Sequence, residues 1–181
     1  MKGVVFTEFL EMVEATFPED MVDRMISRAD LPSGGAYTSV GFYDHGEMVQ
    51  LVAALSELTG KPVAELIRTF GRYLFGRFVK TFPGFFVGIS DSFEFLTGIE
   101  TRVHSEVRKL YPDAELPNFV VTQHGIERLV LDYKSRRPFA DLAHGLIEGC
   151  IDHYRETIAL NREDRPSADV QARFTLIRHS G

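Results

Sequence analysis

The chain has no tryptophan and one cysteine, Cys150. A single thiol builds neither a disulfide framework nor a multi-cysteine zinc or iron–sulfur site. No run of about 18 apolar residues occurs, which removes the ordinary transmembrane helix. Basic residues are not in excess. The 20 Lys and Arg stand against 26 Asp and Glu, a net charge of −6, which argues against a general binder of nucleic acid or anionic membrane. The N-terminal segment carries one lysine and then amphipathic sequence with Glu8, Glu11 and Glu14, the wrong pattern for a signal peptide. Internal repeats and low-complexity stretches are missing as well. A cytoplasmic globular protein is expected.

What the chain does have is phenylalanine, 15 of 181 residues. That many rings suit a large core, or a core wrapped around a flat apolar ligand. The length fits one domain with room for two lobes. Apolar residues recur at helical spacing over 4–17, 19–29, 46–59 and 63–82. Pro18 stops the first of these, and Gly60 ends the third as a C-terminal glycine. Asp91 or Ser92 caps a further helix to Tyr111, with a stripe of Leu96, Ile99, Val103, Val107 and Leu110. After Pro117 the pattern turns extended. Residues 119–121 and 126–135 read as a hairpin around His124-Gly125. Residues 139–158 return to helix, with Gly145 and Gly149 one turn apart, so something can approach that backbone closely. Val170, Ala172, Phe174 and Leu176 alternate as one face of a last strand. The class is α+β.

The stretch Leu131 to Pro138 carries the most chemistry. Alternation along a strand puts Tyr133, Ser135 and Arg137 on one face. Two hydroxyls and a guanidinium in a row suit a carboxylate or phosphate, although an exposed polar face reads the same way. His104 borders the apolar stripe of its helix, where a histidine is ordinarily a boundary residue and is also a possible axial ligand to iron. Haem needs an axial base, a grip for two propionates and flat apolar walls, and the three features together meet those needs. His144 points away from such a pocket. Cys150 and His153 lie one turn apart, but two ligands do not make a zinc site.

Tyr-x-Ser-x-Arg at 133, 135 and 137, with a helical histidine 29 residues before Tyr133, resembles the haem-nitric oxide/oxygen binding (H-NOX) family. Met1-Lys2-Gly3, Phe70 to Phe75, Leu110-Tyr111 with Leu116-Pro117, and Gly145 to Gly149 also match family features. The resemblance spans nearly the whole chain. It implies one H-NOX-like domain over 1–181, with a helical lobe at about 1–65 and a haem-ligating α+β lobe at about 66–181. Haem b would be buried between the helical part and a C-terminal antiparallel sheet with helices. His104 would be the proximal iron ligand. Tyr133, Ser135 and Arg137 would hold the propionates, and Pro117 would pack on the ring and distort it. Val5, Phe9, Leu74, Phe78, Leu142 and Leu146 would line the distal side.

Family members that hold oxygen place a distal tyrosine five residues after the motif arginine. Here that residue is Leu142. Bound oxygen is polar and gains from a hydrogen-bond donor, whereas NO binds without one, so an apolar pocket favours NO and CO. The resemblance therefore implies a gas sensor rather than an enzyme. NO would break the His104–iron bond, and the lobes would rotate, with Gly71 as a flexing point. Because the sequence ends at Gly181 with no attached output module, signalling in trans is expected. Family precedent for the partner is a histidine kinase or a cyclic-di-GMP enzyme. The alternative is a haem-free module whose Phe-rich cavity holds an apolar acid or lipid, with Arg137 on its carboxylate.

Overall fold

The structure, a computed structural model, describes residues 1–112, 114–165 and 171–178. Val170 and the side chain of Leu110, both given to apolar faces from the sequence, lie outside the described residues. The chain separates into two compact units, residues 1–70 and 71–181.

The first unit is helical. It contains α1 (Gly3–Thr16), α2 (Met21–Arg28), α3 (His45–Thr59) and the opening turns of α4 (Val63–Thr81). Phe6, Phe9, Val13, Met25, Leu51 and Leu55 are each fully buried in its core. Asp44 caps α3 by accepting the Gly46 N–H at 2.6 Å. Gly60 ends that helix in the left-handed region at φ 72°, a conformation glycine adopts without a Cβ clash.

The second unit is α+β. After the rest of α4 come a short 3₁₀ turn, α5 (Ser92–Thr97), a π-helical stretch Ile99–His104 and α6 (Ser105–Leu110). The strands are β1 (Asn118–His124), β2 (Arg128–Lys134), β3 (Ile158–Asp164) and β4 (Ala172–Arg178), with α7 (Ala140–Tyr154) between β2 and β3. All neighbours pair antiparallel, in the order β1-β2-β4-β3. One sheet face is apolar because side chains alternate. Leu129, Leu131 and Tyr133 from β2 join Ala172, Phe174 and Leu176 from β4 in a single cluster with Ala143, Ile147 and Cys150 of α7. On the other face, Asp132 takes two hydrogen bonds from Arg173, at 2.6 and 2.8 Å.

Glycines set the spacing of α4 and α7. A Cβ on Gly71 would sit 2.5 Å from the Leu142 carbonyl oxygen, and one on Gly149 would sit 2.7 Å from Phe75 Cβ and 3.1 Å from the Arg72 carbonyl oxygen. The close approach expected at Gly145 and Gly149 is therefore made by α4. That helix runs unbroken through Gly71.

Four expectations change. The one helix expected over 91–111 is three consecutive helical pieces. Asp91 does cap the first, accepting the Glu94 N–H at 2.8 Å, but the chain then widens into the π-helical turn that ends at His104. Second, α7 stops at Tyr154, where Arg155 takes φ 56°. The next element is an unexpected edge strand, β3, whose Arg162, Glu163 and Asp164 mask the alternation. Third, β2 begins at Arg128, and Ile126 sits in the turn with 86% of its surface exposed. Fourth, β2 ends at Lys134, so Ser135 and Arg137 lie beyond the strand.

This packing has two measurable consequences. Replacing Gly149 by Ala places a methyl against rigid atoms of α4. The expected overpacking cost of about 1–3 kcal/mol exceeds the ~1 kcal/mol gain in helix propensity, so urea unfolding should show a lower midpoint at unchanged slope. The second consequence concerns acid. Hydrogen bonding from Arg173 is the main cause holding the Asp132 carboxyl below its ordinary 3.8, against some burial. A depressed folded pKa gives stability that is present above the ordinary value and lost as pH falls through the folded one. Asp132→Asn should therefore flatten the loss of stability seen in wild type below about pH 4.

Candidate functional site

His104 closes the π-helical stretch and is 8% exposed. Its Nδ1 lies 3.0 Å from Glu100 Oε1. A carboxylate only accepts, so the proton sits on Nδ1 and the lone pair on Nε2. Burial is the main cause pushing the His104 pKa below its ordinary 6.5; Glu100 pulls it up, and Arg108 adds to the lowering. Burial thus disfavours the charged form of the ring, and it is the neutral form that ligates metals.

Glu100 organises more than the histidine. The same Oε1 accepts the Phe119 N–H at 2.9 Å, and Arg108 Nη2 lies 3.4 Å from Oε2. This ties the π-helical turn to the start of β1. The Phe119 ring stands 6.4 Å from the His104 ring and 5.3 Å from that of Tyr133, centroid to centroid. Phe119 and Tyr133 are also paired in register across β1 and β2. His104 and Tyr133, far apart in sequence, therefore share Phe119 as a neighbour. Neither Glu100 nor Phe119 was singled out from the sequence. A carboxylate four residues before a helical histidine, the i, i+4 spacing of Glu100 and His104, is the sequence signal by which the first could have been found.

Tyr133 lies on the buried sheet face and is 2% exposed. Burial raises its hydroxyl pKa, while a hydrogen bond with the Ser135 side chain and the Arg137 charge lower it. Strand alternation does not place Ser135 and Arg137, because β2 has ended. A tight turn places them instead: the Arg137 N–H donates to Ser135 Oγ at 3.0 Å, and Gln171 Nε2 donates to the Ser135 carbonyl. Arg137 Nη2 donates to Glu115 Oε2 at 2.6 Å, with the Arg137 side chain 19% exposed. A cavity of about 420 Å³ opens here. Glu115, Lys134, Ser135, Arg136, Arg137 and Gln171 are among its lining residues; His104 and Tyr133 are not. Pro117 is half-buried immediately before β1.

The remaining expected residues fall in both units. Val5 and Phe9 are on α1 of the first, where Phe9 packs edge-to-face on Phe70 with centroids 5.2 Å apart. Leu74 and Phe78 are on α4 in the second unit, Leu74 buried and Phe78 half-buried. Leu142 and Leu146 are half-buried on α7, at the turn whose backbone meets Gly71. His144, expected to turn away from the pocket, packs edge-on against Phe174 of the sheet.

The group that the resemblance implies, an iron porphyrin with two carboxylates, fits these donors. His104 is buried, Glu100 engages its Nδ1, and Nε2 is the ring nitrogen that would be left to coordinate. The Glu115 contact shows that a carboxylate reaches the Arg137 fork, and a guanidinium has donors for a second one.

The family model described as Haem-NO-binding matches residues 2–162. Among solved structures, the chain is similar to the H-NOX protein of K. algicida, solved as Fe(II) unliganded. Identity is 36%, coverage is 100% of this chain and 98% of that one, and the TM-score is 0.93. It is also similar to the H-NOX of Shewanella woodyi, solved in solution in the Fe(II)CO ligation state with IWP-051 bound: 39% identity, 99% and 95% coverage, TM-score 0.84. The S. oneidensis H-NOX in the Fe(II)NO state shares the fold, at 22% identity, 100% coverage of both chains and TM-score 0.88. No curated protein matches.

Proposed function

Since the chain belongs to the Haem-NO-binding (H-NOX) family, whose members bind haem and sense gases, we propose that it is a haem b-based sensor of NO and CO with little affinity for O₂, in which release of His104 from iron signals to a partner protein in trans. By family precedent the partner is a histidine kinase or a cyclic-di-GMP enzyme. Ferrous haem, when bound, supplies the iron at which the gas ligates. Every other part of the function falls to side chains of this chain.

His104 would hold the iron through Nε2, and burial disfavours the charged form of its ring. Arg137 supplies a charged fork for a propionate, and Tyr133 and Ser135 add hydroxyl donors. Pro117 gives a rigid surface for the ring to pack on. Val5, Phe9, Leu74, Phe78, Leu142 and Leu146 supply hydrocarbon on the gas side. The single observation that carries the choice of gas is Leu142. By the family resemblance, oxygen-holding members carry a donor tyrosine five residues after the motif arginine; here that residue is Leu142, on α7, and a leucine has nothing to donate. Among the described residues no helix is long and apolar enough to cross a membrane.

Purified protein supplied with haemin should turn red, and after reduction should bind NO and CO but form no stable oxygen complex. His104→Gly should lose the axial base, with added imidazole restoring the wild-type spectrum. If regulation of the partner does not respond to removing that imidazole, the switch is disproved. Colourless protein that takes up no haemin would favour the apolar-acid reading. Leu142→Tyr introduces one neutral donor, worth about 0.5–1.5 kcal/mol. Oxygen affinity, measured by absorbance titration, should then rise roughly two- to tenfold.

A further inference from the structure

We propose that Glu100 is a positioning residue that sets the strength of the bond His104 makes to iron and reports the loss of that bond to β1 through the amide of Phe119. The inference rests on the reading of His104 as the axial ligand. It adds a residue that lies in none of the motifs carrying the family resemblance.

The geometry is specific. One carboxylate oxygen, Glu100 Oε1, accepts from two donors on different elements: His104 Nδ1 at 3.0 Å and the Phe119 N–H at 2.9 Å. The His104 and Glu100 side chains are 11% and 25% exposed, so water competes weakly for either. Arg108 Nη2 stands 3.4 Å from the other oxygen.

That sharing has two effects. An imidazole whose N–H is donated to a carboxylate is more basic at its other nitrogen, and such outer partners tune metal affinity. Glu100 therefore strengthens donation from Nε2 and opposes departure of His104. The two donors also divide one oxygen. Any movement of the His104 ring changes the bond left to the Phe119 N–H. Phe119 pairs in register with Tyr133, so the change enters the strand pair that leads to Ser135 and Arg137.

Glu100→Gln keeps the size and an acceptor oxygen but removes the charge. In the haem-loaded, reduced variant the iron–histidine stretching band in resonance Raman spectra should move to lower frequency. With NO added, the ratio of protein retaining His104 on iron to protein that has released it should fall roughly five- to tenfold, the difference between a charge-assisted and a neutral hydrogen bond. In haem-free protein the Phe119 amide NMR resonance should move as well. If the variant takes up haemin and all three readings match wild type, the proposal is overturned. If wild type takes up no haemin, the axial-ligand reading fails, and the bond-strength half of the proposal fails with it. The Phe119 amide in haem-free protein still tests the shared oxygen. Should Glu100→Gln not fold, His104→Gly serves instead: hydrogen exchange at the Phe119 amide must change when imidazole is supplied, and an unchanged rate overturns the proposal.

Discussion

A buried imidazole can offer a lone pair to a metal only when its proton is held elsewhere and its ring is held still. In this protein one carboxylate oxygen meets both conditions. Glu100 Oε1 accepts a hydrogen bond from His104 Nδ1 at 3.0 Å and another from the Phe119 N–H at 2.9 Å. The first bond sets the tautomer. The second ties the helical turn to the sheet. Burial makes the charged form of the ring costly, and the nearby carboxylate only partly reverses that. Glu100 and His104 lie four residues apart on the π-helical turn that ends at the histidine.

The anion grip depends on a different constraint, the end of a strand. Within β2, alternation separates Asp132 from Tyr133. Asp132 goes to the charged face and pairs with Arg173, while Tyr133 goes to the apolar face. Had the strand continued, Ser135 and Arg137 would have stayed in that pleat. Instead the chain bends, Ser135 Oγ takes the Arg137 N–H, and the guanidinium meets the Glu115 carboxylate beside a cavity of about 420 Å³. The scaffold behind it is tightly packed. Gly71 on α4 and Gly149 on α7 bring the two helices close enough that added methyls would meet backbone atoms.

The proposed gas preference comes from chemistry that is missing at one position on α7. A ligated gas that carries little charge needs no donor, and one that carries charge does. Leu142 and Leu146 are half-buried on that helix and bring only hydrocarbon. Selectivity of this kind takes nothing from affinity for the apolar ligand. It withholds a hydrogen bond from the polar one.

Much of this was legible in residue order. Five helices, the hairpin and the apolar face of β4 were placed to within a few residues, because each is coded by a local period and by local stops such as Gly60 and Pro18. The Tyr-x-Ser-x-Arg spacing and the distant histidine pointed to the family resemblance for the same reason. The strand β3 was hidden, since three charged residues in seven break the alternation of an edge strand. What the sequence by itself determined was therefore the set of elements, the α+β class and the residues offered for ligand chemistry. Tertiary structure alone decided that Glu100 joins His104 to Phe119, that Arg173 holds Asp132 and that a turn holds Arg137. The first two are contacts across 19 and 41 residues of chain. A period of two or of 3.6 records which way a side chain faces, and says nothing of which other element comes to meet it.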